Sequence, residues 1–175
     1  MLVKKSSLLL LFALAALSLG AQKSERYLKK MPQEGFALYF IVPTSFAAQP
    51  PAKLKLEMDF TFQYSGTVPE EAEVRFSVFS RSAAGRLEGL SFFVGREPLG
   101  STATPELLFL KKEKRRWHSR FSATLPYASL QGLLQAGPRA RVQLTGLDTP
   151  VLLRPQKSWI KAAEIVHEIL AAELE

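Results

Sequence analysis

A chain of 175 residues with 47% apolar residues, 22% charged residues and twelve phenylalanines is too apolar for a disordered polymer. It contains no cysteine, which excludes a disulfide framework, a thiolate metal site and the acylated cysteine that anchors lipoproteins. Of the formal charge of +7, two units belong to Lys4 and Lys5; the +5 that remains for the later part of the chain favours anionic partners without selecting one.

Residues 1–20 read as a cleavable signal peptide of bacterial Sec type. Lys4 and Lys5 give a positive start, Ser6 to Leu19 an apolar run, and Ser18-Leu19-Gly20 places small residues at −3 and −1 of a cleavage site. The run is about 14 residues, short of the roughly 20 that cross a bilayer, and the polar stretch AQKSERYLKK follows at once. The expectation is a periplasmic or secreted protein with no transmembrane segment after cleavage. Residues 21–34 then read as a flexible lead-in, and 35–175 as one β-rich domain.

Gly35 to Val42 is the first strand candidate, and Val42 to Ala52, with Pro43, Pro50 and Pro51, reads as a loop. From Ala52 the chain alternates. Leu54, Leu56, Met58, Phe60, Phe62 and Tyr64 share one side and Lys53, Lys55, Glu57, Asp59, Thr61 and Gln63 the other, as in an antiparallel sheet with one wet face. Glu70, Glu71 and Glu73 fall in an expected turn and lack the pattern of a calcium loop. Further strands are expected at Val74–Phe79, Leu87–Val94, Glu106–Lys112, Trp117–Leu125, Arg139–Thr145 and Pro150–Leu153, and Gly95 to Gly100 as a turn.

Two helices interrupt the strands. A short one at Ser129–Ala136 carries Leu130, Leu133 and Leu134 and stops at Gly137-Pro138. The second, from Ser158 onward, is amphipathic, with Trp159, Ala163, Val166, Leu170 and Leu174 on one stripe. Glu173 and Glu175 oppose the helix dipole, so its last turn is expected to fray. The fold class is mainly β with minor α: an antiparallel sandwich or curved barrel-like sheet of about eight strands, with the C-terminal helix packed on it.

The candidate site is KKEKRRWHSRF, where Lys111, Lys112, Lys114, Arg115, Arg116 and Arg120 gather about a hairpin turn. Ammonium and guanidinium groups neutralise anionic oxygens, and such a tip suits anionic lipid, polysaccharide or an envelope protein. A charged tip also discourages edge pairing and keeps a hairpin soluble. Export, and the lack of any recognition helix or zinc spacing, point away from nucleic acid.

His118 and His167 are the two histidines, too few for a metal set, and no catalytic motif surrounds any serine. No catalytic residue, metal or cofactor is assigned. The expected function is a non-enzymatic, exported binding or envelope-associated protein. Its alternatives are a periplasmic carrier of a lipid-like ligand in a phenylalanine-lined sheet cavity and an enzyme of a type without sequence motifs.

Overall fold

The computed structural model describes residues 26–174; the expected signal peptide lies outside the described residues. Ten strands are followed or interrupted by two helices: β1 (Leu28–Gln33), β2 (Phe36–Ala48), β3 (Lys55–Tyr64), β4 (Glu71–Ser80), β5 (Gly89–Val94), β6 (Glu97–Ser101), β7 (Glu106–Glu113), β8 (Arg116–Pro126), α1 (Tyr127–Ala136), a single turn of 3₁₀ helix (Gly137–Arg139), β9 (Ala140–Thr145), β10 (Val151–Pro155) and α2 (Lys157–Leu174). All pair antiparallel in one sheet; nine follow the order β6-β5-β9-β10-β2-β3-β4-β8-β7, and β1 pairs with β2 beside this path. The sheet is a curled half-barrel, not a sandwich of two sheets.

β3 forms as its alternation dictates. Leu56, Met58 and Phe60 are wholly buried on the concave side. β2 is longer than expected, and the expected loop from Val42 to Ala52 is corrected by pairing that runs Thr44↔Met58 to Ala47↔Lys55. Pro43 sits where the register slips between Ile41 and Thr44, so a bulge absorbs the residue that has no N–H to donate. The other side of β2 is shared: β1 pairs with Phe36–Ile41 and β10 with Phe46–Ala48, leaving Pro43 in the gap between them.

Two more strands appear where none was expected. Leu28–Gln33, inside the stretch that reads as a lead-in, forms β1; and of Gly95–Gly100 only Gly95-Arg96 is a turn, with β6 beginning at Glu97. Glu71 and Glu73 likewise belong to β4. Glu73 accepts from Arg75 Nε (2.8 Å) and Ser122 Oγ (2.8 Å); burial opposes its charge, but these hydrogen bonds prevail and hold its carboxyl below the ordinary range.

β6 and β7 are consecutive in the chain yet lie at opposite ends of the sheet. The connection between them crosses from one end to the other, with Thr102 N–H donating to Leu90 O (2.9 Å) and the next N–H, of Ala103, donating to Thr124 O (2.8 Å). One short segment therefore ties β5 to β8 and keeps the sheet curled.

The concave side is filled by the helices. Leu130, Leu133 and Leu134 of α1, and Trp159, Ala163, Val166 and Leu170 of α2, are buried there. Trp159 packs on Phe46 (5.1 Å between ring centres) and Phe60 (6.3 Å), and its indole N–H donates to Gly137 O at 3.0 Å. α1 approaches β6 so closely that a Cβ on Gly100 would lie 2.1 Å from Ser129 Oγ, and Gly100 itself holds φ 133°.

The end of α2 is fastened where fraying was expected: α2 stays helical to Leu174. Glu173 Oε2 accepts from Lys30 Nζ and Tyr39 Oη, each at 2.6 Å, which joins the helix to β1 and β2. Burial opposes the charge on Glu173, and the two hydrogen bonds overcome it to hold the carboxyl below its ordinary range. A depressed carboxyl stabilises the fold above its unfolded pKa, and that contribution disappears as pH falls through the folded value. Because the pair is 47% and 37% exposed, E173Q is expected to cost no more than about 1 kcal/mol at neutral pH in urea unfolding. The difference from the wild type should close as the pH is lowered through the carboxylate range.

Candidate functional site

The two-residue turn Lys114-Arg115 joins β7 to β8, with Glu113 opposite Arg116. Lys114 has φ +54°, a left-handed conformation that hairpin turns normally give to glycine or asparagine. A lysine there carries conformational strain of about 1 kcal/mol or more and directs an ammonium away from the sheet. Lys112, Lys114, Arg115 and Arg116 are all exposed, and among the described residues none of them lies in an ion pair. Lys112 Nζ rests 5.8 Å from the centre of the Trp117 ring, a contact that orients the cation without neutralising it.

The remaining two candidates are placed differently. Lys111 Nζ is 2.6 Å from Glu113 Oε1 and 5.4 Å from the Phe109 ring centre, so its charge is compensated. Arg120 is not part of the tip at all. It lies inside β8 and faces β4 and β3, donating from Nη2 to Asp59 Oδ1 (2.7 Å) and from Nη1 to Ser77 Oγ (3.1 Å). The alternation of β8 puts Arg116, His118 and Arg120 on one face, but only the cross-strand register shows that a carboxylate of β3 meets the last of them.

The structure adds two cations that the sequence does not connect with the hairpin. Lys53, just before β3, and Lys55, its first residue, share with Arg116 and Phe79 the rim of a shallow hollow of about 240 Å³. Lys55 is paired with Glu57 at 2.6 Å, while Lys53 is exposed and, among the described residues, lies in no ion pair. The signal for this proximity was their place on the polar side of β3, but the strand order β3-β4-β8 was needed to read it.

His118 is stacked on Phe79 (4.3 Å, 27°) and edge-on to Phe109 (4.8 Å). Its Nε2 is 3.0 Å from Ser77 Oγ and its Nδ1 is 3.6 Å from Glu113 Oε1. This is the order of a serine–histidine–carboxylate relay. Ser77, however, is 3% exposed in the middle of the sheet and already accepts from Arg120, so the hydroxyl has no open approach for a substrate. The arrangement fits a cross-strand polar network.

Phenylalanines that recur at strand period are buried in the core. Phe46, Phe60, Phe76, Phe92 and Phe121 are each below 2% exposed, and Phe76 stacks on Phe121 at 5.3 Å. A more open hollow of about 510 Å³ lies between β1 and the end of α2, rimmed by Lys30, Tyr39 and Glu173, whose polar groups are bonded to one another. Among the described residues no group of three His, Cys, Asp or Glu side chains is placed to hold a metal ion, and no helix is long and apolar enough to cross a membrane. Comparison with models of known families, with characterised proteins and with solved structures finds no match.

Asp59 is 4% exposed, so removing Arg120 leaves a poorly solvated carboxylate. R120L is expected to lower stability by about 2–4 kcal/mol in denaturant unfolding, and the double variant D59L/R120L to recover a large part of it.

Proposed function

We propose that this is an exported, envelope-associated binding protein without enzymatic activity, whose β7–β8 tip contacts anionic lipid headgroups. The observation that carries the reading is the unpaired cationic tip. Lys112, Lys114, Arg115 and Arg116 lie at the end of a hairpin, among the described residues none of them is in an ion pair with a carboxylate, and one occupies a strained backbone position. Strain is retained where surrounding structure or use demands it, and a glycine would make this turn without cost.

Each lysine or arginine brought to an anionic bilayer surface contributes about 1 kcal/mol, and the attraction fades within a Debye length. Four free cations, with Lys53 beside them, suffice for reversible, salt-sensitive attachment. Arg120, already satisfied by Asp59 and Ser77, has no part in it.

The test uses the chain from residue 21 onward and vesicles of phosphatidylglycerol in phosphatidylcholine, read by co-sedimentation. The wild type is expected to bind in low salt and to release in high salt. The triple reversal K114E/R115E/R116E should weaken binding more than about tenfold, and D59L/R120L, which removes Arg120 together with its carboxylate, should leave it unchanged. Equal binding by the wild type and the triple reversal would overturn the reading. So would binding to a sulfated polysaccharide with no response to the vesicles.

A further inference from the structure

β7 stands at the end of the sheet with β8 as its one neighbour. All eight of its residues are exposed, including the consecutive apolar run Leu107 (38%), Leu108 (46%), Phe109 (38%) and Leu110 (37%). The opposite end is blunted, because β6 has five residues, includes Pro98 and carries a register slip against β5. An apolar edge with open N–H and C=O groups is a template for another strand, and natural proteins ordinarily disguise it.

The turn fixes which backbone groups of β7 are open. Across a two-residue loop the flanking residues form a hydrogen-bonded pair, here Glu113 with Arg116. By alternation Lys111 and Phe109 also bond to β8, while Lys112 and Leu110 turn their N–H and C=O outward. The slip between Leu107 and Phe109 lies before this stretch, so Phe109 to Glu113 presents a regular edge.

We propose that β7 pairs antiparallel with β7 of a second copy of this chain about a two-fold axis at Leu110. An edge-to-edge two-fold must set outward-facing residues opposite one another, which leaves Leu110, Lys111 and Lys112 as centres that pair Leu110 and Lys112 within the regular stretch. The charges decide between them. A centre at Lys111 or at Lys112 sets lysine against lysine. A centre at Leu110 sets Leu110 on Leu110 and Lys111 against the Phe109 ring, and it brings Glu106 at the start of each strand toward Lys114 in the turn of the other. The ammonium-to-ring contact between Lys111 and Phe109 already exists within one strand at 5.4 Å. The strand runs from Glu106 through an apolar middle to Lys111 and Lys112, with Glu113 last and the cationic turn after it, so in reverse its acidic start meets its basic half. The pairing does not depend on the lipid reading, since it uses the side of β7 and is assayed without an anionic surface.

Sedimentation velocity of the chain from residue 21 onward, over a range of concentrations, tests the proposal. The wild type is expected to pass from monomer to dimer, and L110K, which sets like charges at the axis, to stay monomeric with an unchanged circular dichroism spectrum. E106K and K114E should each weaken the dimer about tenfold, because each reversal acts on two symmetric pairs. The double variant E106K/K114E should restore it. A wild type that stays monomeric at every concentration, a dimer indifferent to L110K, or a double variant no better than the singles would each overturn the proposal.

Discussion

A curled sheet whose concave face must be covered by two short helices constrains everything else in this molecule. Its curvature is held where the segment after β6 crosses the open side, handing one N–H to β5 and the next to β8. This crossing makes the two consecutive strands β6 and β7 the two ends of the sheet. Each then has one bonded neighbour, and whatever apolar residues β7 carries remain at the surface. With the concavity occupied by Leu133, Trp159 and Val166, the interior is a filled core, and the features that can act on other molecules lie on the rim and the outer face.

On that outer face the charges sort into two populations. Along the middle of the sheet, cations sit within reach of carboxylates, either two residues along the same strand, as Arg75 with Glu73 and Lys55 with Glu57, or across β4, as Arg120 of β8 with Asp59 of β3. At the β7–β8 tip the density of cations outruns the single carboxylate, Glu113, and Lys111 takes it. Burial hardly enters, because the tip is exposed and its charges keep their water. What distinguishes it is the lack of compensation, and an uncompensated exposed patch acts at range and is sensitive to salt.

How much of this the sequence disclosed follows from the kind of information each feature needs. The period of two in β3 specifies a face by itself, and the stripe of α2 specifies its buried side, so both were legible. Pro43 was misleading because a missing N–H reads as a break, whereas a bulge placed between two short neighbours, β1 and β10, lets the strand continue. β1 was hidden for a related reason: residues 28–33 show Leu28 buried and the rest exposed, a pattern set by pairing with β2 and not by any alternation. The expected fraying of α2 rested on a local dipole argument that a contact from Lys30, distant in sequence, outweighs. The candidate site was legible as a cluster of charges, but membership was not. Arg120 leaves it for Asp59 and Lys53 joins it, and both facts depend on strand order.

The tip and the edge occupy one hairpin, and their geometry bears on how they would act together. Antiparallel pairing through β7 sends the two tips in opposite directions along the shared edge, while a two-fold axis normal to the sheet keeps both outer faces on one side. A flat anionic surface facing that side meets two sets of cations on one rigid body. Attachment of the first tip then raises the effective concentration of the second, so a pair of weak contacts gains far more than a sum of two independent ones. Lys114 is the residue shared by both arrangements, since the pairing brings it toward Glu106 of the other copy, and the strain at its backbone would then serve contact between copies as well as contact with the surface. Arg115 and Arg116, which the pairing leaves free, would carry the surface contact of the paired form.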